Sequence, residues 1–157
     1  MKLIPALGAA LAMFAATGPA LAVDTVTARD PQTVLDALAD MGYRGKLEKM
    51  DSGRASIAVA ISGLNTFIDF YDCADDMTDC YTLFFVVLLD LKEGATLKKG
   101  NDWNAQEITG RVSLDENGDP QLDYALSTFE GIPYSVFEQS MKLWDRKIGD
   151  FKDFFDF

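Results

Sequence analysis

Histidine is absent from this 157-residue sequence, and cysteine occurs only twice. Without histidine, the commonest general base and metal ligand of proteins is missing, and a serine–histidine or cysteine–histidine nucleophile is excluded. Glycine-rich phosphate loops, zinc-ligand spacings and basic patches interleaved with aromatic residues are missing as well. The sequence therefore disfavours an enzyme, and no cofactor is expected.

Basic residues are scarce, because 14 Lys and Arg stand against 25 Asp and Glu, for a formal net charge of −11. Such a charge repels nucleic acid and anionic lipid, so neither is expected as a partner. Long hydrophobic runs are also few. The longest candidate, residues 6–16, is shorter than the roughly 20 residues that a membrane-spanning helix needs.

The N-terminal residues have the layout of a secretory leader. Lys2 precedes the apolar run, and the segment after the run ends in the small-residue motif Ala20-Leu21-Ala22. We expect residues 1–22 to be removed and residues 23–157 to form one periplasmic or secreted domain, without stable membrane insertion. An N-terminal anchor that stays attached is the alternative.

Cys73 and Cys80 are expected to form a disulfide bond, since an exported chain matures where thiols are oxidised. A redox-active pair is the alternative, although such pairs usually have the tighter Cys-x-x-Cys spacing. The acidic residues in and beside the intervening loop are weak candidates for binding a hard cation such as calcium: Asp72, Asp75, Asp76 and Asp79. A solvated loop explains them equally, so no metal site is predicted. A periplasmic small-ligand or cation-binding protein that uses this loop remains the alternative function.

Residue periodicity predicts an α+β domain, with an antiparallel sheet of about five or six strands. The sheet is expected to be flanked by an N-terminal helix, a short middle helix and a long C-terminal helix. The first helix is expected to start at Asp30-Pro31 and to end at Gly42. Strand patterns follow at 43–50, 55–61, 66–72 and 81–91. The last of these is almost wholly apolar, which predicts a central strand covered on both faces.

The second half of the chain is expected to contain a short helix near 101–107 and a hairpin that turns at Asn117-Gly118. Residues 134–157 show the apolar spacing of an amphipathic helix. The aromatic residues of this half outnumber what one helix face can bury, so core packing and partner contact both stay open. The candidates for partner contact are Trp103, Trp144, Phe151, Phe154, Phe155 and Phe157.

Several motifs occur in an order and spacing that resemble the YbjN family of bacterial proteins. They are Asn-Asp-Trp-Asn at 101–104, Gly-Arg-Val-Ser-Leu-Asp at 110–115 and Gly-Asp-Pro-Gln-Leu at 118–122, followed by the C-terminal aromatic helix. Exported members of the family also carry a leader and a cysteine pair before the central strand. The resemblance implies a fold similar to that of type III secretion chaperones and a role as a sensory transduction regulator. It implies no catalytic residue.

Taken together, these patterns predict an exported, non-enzymatic binding, chaperone-like or regulatory module. Its expected partner is a protein or a peptide that contacts the sheet face or the C-terminal helix. A homodimer is among the expected states.

Overall fold

The computed structural model describes residues 24–157, so the predicted leader, residues 1–22, lies outside the described residues. Residues 24–157 form three helices, a six-stranded antiparallel sheet and a separate pair of very short strands. This arrangement is an α+β fold with N-terminal, middle and C-terminal helices. The fold class predicted from the sequence is confirmed.

The helices are α1 (Pro31–Asp40), α2 (Leu97–Gln106) and α3 (Tyr134–Phe155). The strands are β1 (Thr25–Val26), β2 (Lys46–Lys49), β3 (Ala55–Ile61), β4 (Leu64–Tyr71), β5 (Thr82–Leu88), β6 (Arg111–Leu114), β7 (Pro120–Ser127) and β8 (Ile132–Pro133). In the large sheet the strands lie in the order β2-β3-β4-β5-β7-β6, and β1 pairs only with β8. The central strands are therefore β4 and β5.

Turn chemistry sets the register of the first two hairpins. Ser62 and Gly63 join β3 to β4 with φ values of 49° and 80°, the backbone of a two-residue turn whose twist matches that of the strands. Between β2 and β3, the Met50 N–H donates to the Arg54 carbonyl, and Gly53 takes a φ of 87°. Because side chains alternate along a strand, these registers decide which residues share a face.

The first helix begins where its capping residues predict. The Asp30 side chain accepts the Gln32 N–H at 3.0 Å, and Pro31 occupies the first turn. The second helix begins earlier than predicted, because Thr96 caps it. This first turn was not predicted from the sequence, because Gly100 lies within the helix and lowers its helix propensity.

The hydrophobic core lies between one face of the sheet and the helices. The apolar side of α3 is buried along its whole length by Phe137, Met141, Trp144, Ile148, Phe151 and Phe155. The central strands contribute Ile68, Phe70, Leu83, Phe85 and Val87, which have no exposed surface. Each such side chain stabilises the fold by about 1.5–3 kcal/mol.

The predicted disulfide bond is present between Cys73 and Cys80, and it joins the segments that follow β4 and precede β5. Three non-glycine residues in or next to its loop have left-handed backbones: Asp72, Met77 and Asp79, with φ of 53°, 63° and 53°. Such conformations cost about 1–2 kcal/mol each. Closing a loop of this size stabilises the fold by about 2–3 kcal/mol. The disulfide bond therefore holds together a loop that contains energetically unfavourable backbone conformations.

The prediction that the central strand is covered on both faces is wrong. On β5, Leu83 and Phe85 are buried, but Phe84 and Val86 are only partly covered and Leu88 is 47% exposed. An apolar run of this kind is typical of a strand between two helix layers. Here all three helices pack on the same side of the sheet or beside its edge, so half of the run faces outward. Over residues 24–157, no helix combines the length and the apolar character needed to cross a membrane.

Candidate binding surface on the open sheet face

The open face is the side of the large sheet that points away from α1 and α3. Its centre is formed by five neighbouring apolar side chains, which we call the apolar stripe: Phe67, Tyr71, Phe84, Val86 and Leu88. Phe67 is directly opposite Val86 in the β4–β5 pair. The rings of Tyr71 and Phe84 meet edge to face at 5.2 Å. A contiguous, half-exposed apolar surface of this kind makes the open face the candidate interaction site.

Strand alternation produces the stripe. Along β4, Phe67 and Tyr71 alternate with Ile68 and Phe70, and the second pair is fully buried under the helices. The same alternation along β5 places every second residue of its apolar run on the open face. The stripe is therefore continuous across the two central strands.

Shallow grooves lie beside Phe67, one towards each end of β3. One groove of about 250 Å³ is lined by apolar side chains that include Met50 and Val86, together with Ser56 and Asp69. The other, of about 370 Å³, is more polar, and its floor is made by small residues of β3. Both grooves reach Glu48 on the edge strand β2. Each leaves room for a side chain of a partner beside the exposed Phe67 ring.

Asp69 places a carboxylate inside the apolar stripe. It stands on β4 between Phe67 and Tyr71, opposite Phe84 on β5. The other acids of the open face have ion-pair partners: Glu48 lies 2.8 Å from Lys46, and Asp123 lies 3.0 Å from Arg111. Within residues 24–157, Asp69 makes no such ion pair. A cation brought by a partner would therefore find an unpaired carboxylate surrounded by aromatic rings.

Arg54 closes one end of the stripe. Its guanidinium carbon lies 3.9 Å from the centre of the Tyr71 ring, within the range of a cation–π contact. One terminal nitrogen, Nη1, is buried and has no hydrogen-bond partner in the part of the chain that the structure describes. Stacking on Arg54 restricts the Tyr71 ring, so this part of the surface is preorganised.

A family model described as "YbjN: Putative bacterial sensory transduction regulator" matches residues 30–157. The chain belongs to the YbjN family. The matched range contains all three helices and the whole large sheet, so the open face is part of the YbjN domain. No curated protein and no solved structure matches the chain. The likeness to type III secretion chaperones thus stays a prediction.

Four of the six aromatic residues predicted for partner contact lie in the core of the YbjN domain. Trp103, Trp144, Phe151 and Phe155 are at most 3% exposed, so contact of these side chains with a partner is incompatible with this fold. Trp103 lies 5.7 Å from the Phe151 ring, and its indole N–H donates to the Gly110 carbonyl at 3.0 Å. Trp103, Phe151 and Phe155 thus hold α2 against α3, whereas Trp144 packs α3 against Phe85 of β5.

The other two predicted contact residues differ from these four. Phe157 is 52% exposed, and Phe154 is half-buried with its ring 5.4 Å from Trp103. Contact of these two side chains with a partner remains a prediction.

The acids around the disulfide loop of the YbjN domain do not converge. The Thr82 hydroxyl donates to Asp72 at 2.6 Å, and Asp79 lies 3.8 Å from an arginine. Thr78 donates to Asp76 through its hydroxyl at 2.6 Å and through its N–H at 3.1 Å, and these bonds lower the pKa of the Asp76 carboxyl. Among residues 24–157, no group of three or more acidic or cysteine side chains is placed to hold a metal ion.

Two acids of the YbjN domain are buried, and both are bound by the protein itself. The Asp119 carboxylate accepts the Leu91 N–H at 2.8 Å, and Asp123 accepts from the Arg111 guanidinium. Each therefore has a hydrogen-bond partner within the fold. The family description names regulation and no chemistry.

Sequence reasoning missed the β5 members of the apolar stripe: Phe84, Val86 and Leu88. The alternation on β4 already separated Phe67 and Tyr71 from the buried side chains. A visible signal was Asp69, since a carboxylate between two aromatic residues on one strand face is hard to bury without a partner. That acid indicated that the face it shares stays in contact with water.

Proposed function

We propose that this protein is an exported, non-enzymatic regulatory module that binds a segment of another protein on the open face of its sheet. The proposal depends on one observation above all. The apolar stripe occupies the centre of the sheet, and none of the described helices covers it. A sheet face that only contacts water usually carries polar side chains. Burying the stripe under a partner segment would remove this apolar area from water.

Charge narrows the chemistry of the partner segment. Lys2 is the only charged residue before residue 24, so the described domain carries a net charge of −12. Such a field attracts basic segments and repels acidic ones. The unpaired Asp69 carboxylate, set among aromatic rings, provides a position for a lysine or arginine side chain. We therefore expect a segment with apolar residues and at least one basic residue.

Export is part of the same proposal. The leader pattern of residues 1–22 and the disulfide bond both support an oxidising compartment, the periplasm or the exterior. The family description supports regulation through contact with another protein.

Site-specific photo-crosslinking in the producing cells tests the proposal. A photoreactive amino acid replaces either Leu88 on the stripe or Val136 on α3, because these apolar side chains have nearly equal exposures of 47% and 44%. We expect a covalent adduct with one partner protein from position 88 and none from position 136. The same adduct from both positions, or no adduct from position 88, would contradict the proposal.

The adduct also tests the proposed role of Asp69. In the protein with the crosslinker at position 88, Asp69→Lys should reduce the yield at least about tenfold, because a like charge then faces the basic side chain of the partner. Glu138→Lys, on α3, is the control and should leave the yield unchanged. An equal yield from both variants would show that charge at the stripe does not select the partner.

A further inference from the structure

The two edges of the large sheet differ in whether another strand can pair with them. At β6, the Asn104 side chain accepts the Val112 N–H at 2.8 Å and donates to the Val112 carbonyl at 2.9 Å. The neighbouring Gly110 carbonyl accepts the Trp103 indole N–H. The outward backbone groups of Val112 and the Gly110 carbonyl are thus already bound by α2, which closes the centre and one end of this edge.

The opposite edge, β2, is open. Every residue of Lys46–Lys49 is exposed, and β2 is the terminal strand in the sheet order. The bond from the Met50 N–H to Arg54 fixes the phase of its hydrogen bonds. Because alternate residues of an antiparallel strand bond to the same side, Gly45, Leu47 and Lys49 direct their N–H and C=O groups away from β3. These outward groups form an unused pairing edge.

We propose that this edge pairs with β2 of a second copy of the chain, antiparallel, with Leu47 opposite Leu47 of the second copy. In this register Gly45 and Lys49 of each copy also lie opposite one another, so three pairs of outward residues meet. Each such pair can form two backbone hydrogen bonds. The half-exposed Leu47 side chain, 46% exposed, then packs against its own counterpart.

Although the net charges of two copies repel each other, the local charge pattern of β2 is complementary to itself and selects this register. Lys46 and Glu48 flank Leu47 on the open face and lie 2.8 Å apart. With Leu47 at the centre, Lys46 of each copy lies opposite Glu48 of the other, so four charges alternate in sign around a square. A shift that centres the pairing on Glu48 or on Lys46 places like charges directly opposite each other, which is unfavourable.

Lysines on an edge strand usually prevent pairing with unrelated strands. Lys46 still disfavours pairing with unrelated strands. The pattern Lys46-Leu47-Glu48 nevertheless allows pairing with a strand whose acidic residue lies opposite Lys46 and whose basic residue lies opposite Glu48. The same three residues, read antiparallel, supply that order. A second copy of the chain is therefore the partner that this edge fits.

Pairing of this kind would join two six-stranded sheets into one continuous sheet. Residues opposite each other in an antiparallel pair point to the same side, so both open faces would lie on one surface. Glu48 lines both grooves beside Phe67. The second copy would thus add a wall next to each groove. The dimer does not depend on the proposed partner segment and can be tested without it.

Sedimentation equilibrium of the purified protein, up to about 1 mM, tests the association. We expect a reversible monomer–dimer equilibrium. Glu48→Lys should raise the dissociation constant at least about tenfold at low salt, because it places four lysines, two from each copy, next to one another at the interface. The double variant Lys46→Glu with Glu48→Lys should return it to within about threefold, since the swapped charges again alternate. Lys98→Glu, in the exposed Lys98–Asp102 pair on α2, is the control and should have no effect.

Two cysteine variants test the register. Leu47→Cys should form an intermolecular disulfide on mild oxidation, because the Cα atoms of a directly opposed hydrogen-bonded pair lie about 5.5 Å apart. Lys49→Cys should not, because it faces Gly45 of the second copy. Both positions are exposed, so neither variant should prevent folding. A monomer at all concentrations, a double swap that does not restore association, or equal crosslinking at 47 and 49 would each overturn the proposal.

Discussion

Phe84 and Phe85 are adjacent in the chain but lie on opposite faces of β5. Phe85 is fully buried, with ring centres 5.7 Å from Tyr124 and 5.8 Å from Trp144. Phe84 is partly exposed, and its aromatic neighbour is Tyr71 on the same open face. The residue type and the strand are the same, so only the position of the helices separates them. One face of the sheet maintains the fold, and the other is free to bind.

The largest expected effect tests this contrast directly. Phe85→Ala should lower the free energy of unfolding by about 3–5 kcal/mol, because it opens a cavity in the core. Phe84→Ala should cost only about 1 kcal/mol, since it removes a half-exposed cross-strand contact. Urea unfolding of the two variants measures the difference. Equal losses would mean that the open face carries as much packing as the helix-covered face.

The two edges of the sheet extend the comparison. Asn104→Ala should cost about 2 kcal/mol, because it leaves the Val112 N–H and C=O without their partners. Asn101→Ala, on the same exposed helix, should change stability by less than about 0.5 kcal/mol. Thermal unfolding of both variants provides the measurement. If Asn104→Ala were as mild as its control, the closed state of the β6 edge would not depend on that side chain.

Two fully buried threonines sharpen the comparison within the core. The Thr66 hydroxyl has no hydrogen-bond partner among residues 24–157, whereas the Thr128 hydroxyl accepts the Ala28 N–H and donates to the Tyr81 carbonyl. Thr66→Val should raise the free energy of unfolding by about 1 kcal/mol, and Thr128→Val should lower it by about 1 kcal/mol. Chemical denaturation gives both values. A loss of stability in Thr66→Val would show that its hydroxyl is satisfied.

The smallest expected effect lies outside the sheet, in the disulfide loop. Hydrogen bonds from Thr78 lower the pKa of Asp76. A lowered carboxyl pKa contributes stability above the ordinary value of about 3.9, and this contribution is lost as the pH falls through the folded-state pKa. Thr78→Val removes the hydroxyl donor and should raise the Asp76 pKa towards its ordinary value.

Carbon-detected NMR titration of the Asp76 carboxyl group, from about pH 6 down to pH 2, measures this shift. Thr109→Val, in the separate loop between α2 and β6, is the control and should leave the Asp76 titration unchanged. An unaltered titration in Thr78→Val would show that the backbone N–H alone sets the pKa.

Much of the fold could be predicted because the relevant signals are local. The three- and four-residue spacing of α3 identifies its buried side, and Asp30 with Pro31 marks the start of α1. The disulfide pairing was predictable because the sequence has two cysteines and a leader pattern.

Other features depend on contacts between distant residues. The β1–β8 pair joins Val26 to Ile132, and its two-residue strands leave no periodic signal in the sequence. The sequence did not decide whether the aromatic residues of α3 are buried or exposed. Their burial depends on the position of Trp103, which lies on another helix. For the open face, strand alternation places Phe67 and Ile68 on opposite sides of β4. It does not show which of these two residues points towards the helices.

The order of residue types thus defines the faces of each strand and helix, since a side-chain period of 2 or 3.6 is a property of the backbone. It also supplies the acidic charge and the Lys-Leu-Glu pattern of β2. Whether a face or an edge is covered is settled by long-range packing. All three helices lie on one side or at the β6 edge, and this leaves the apolar stripe and β2 uncovered. Coverage depends on elements far apart in the chain, and on β4 only the position of Asp69 indicates locally which face stays in contact with water.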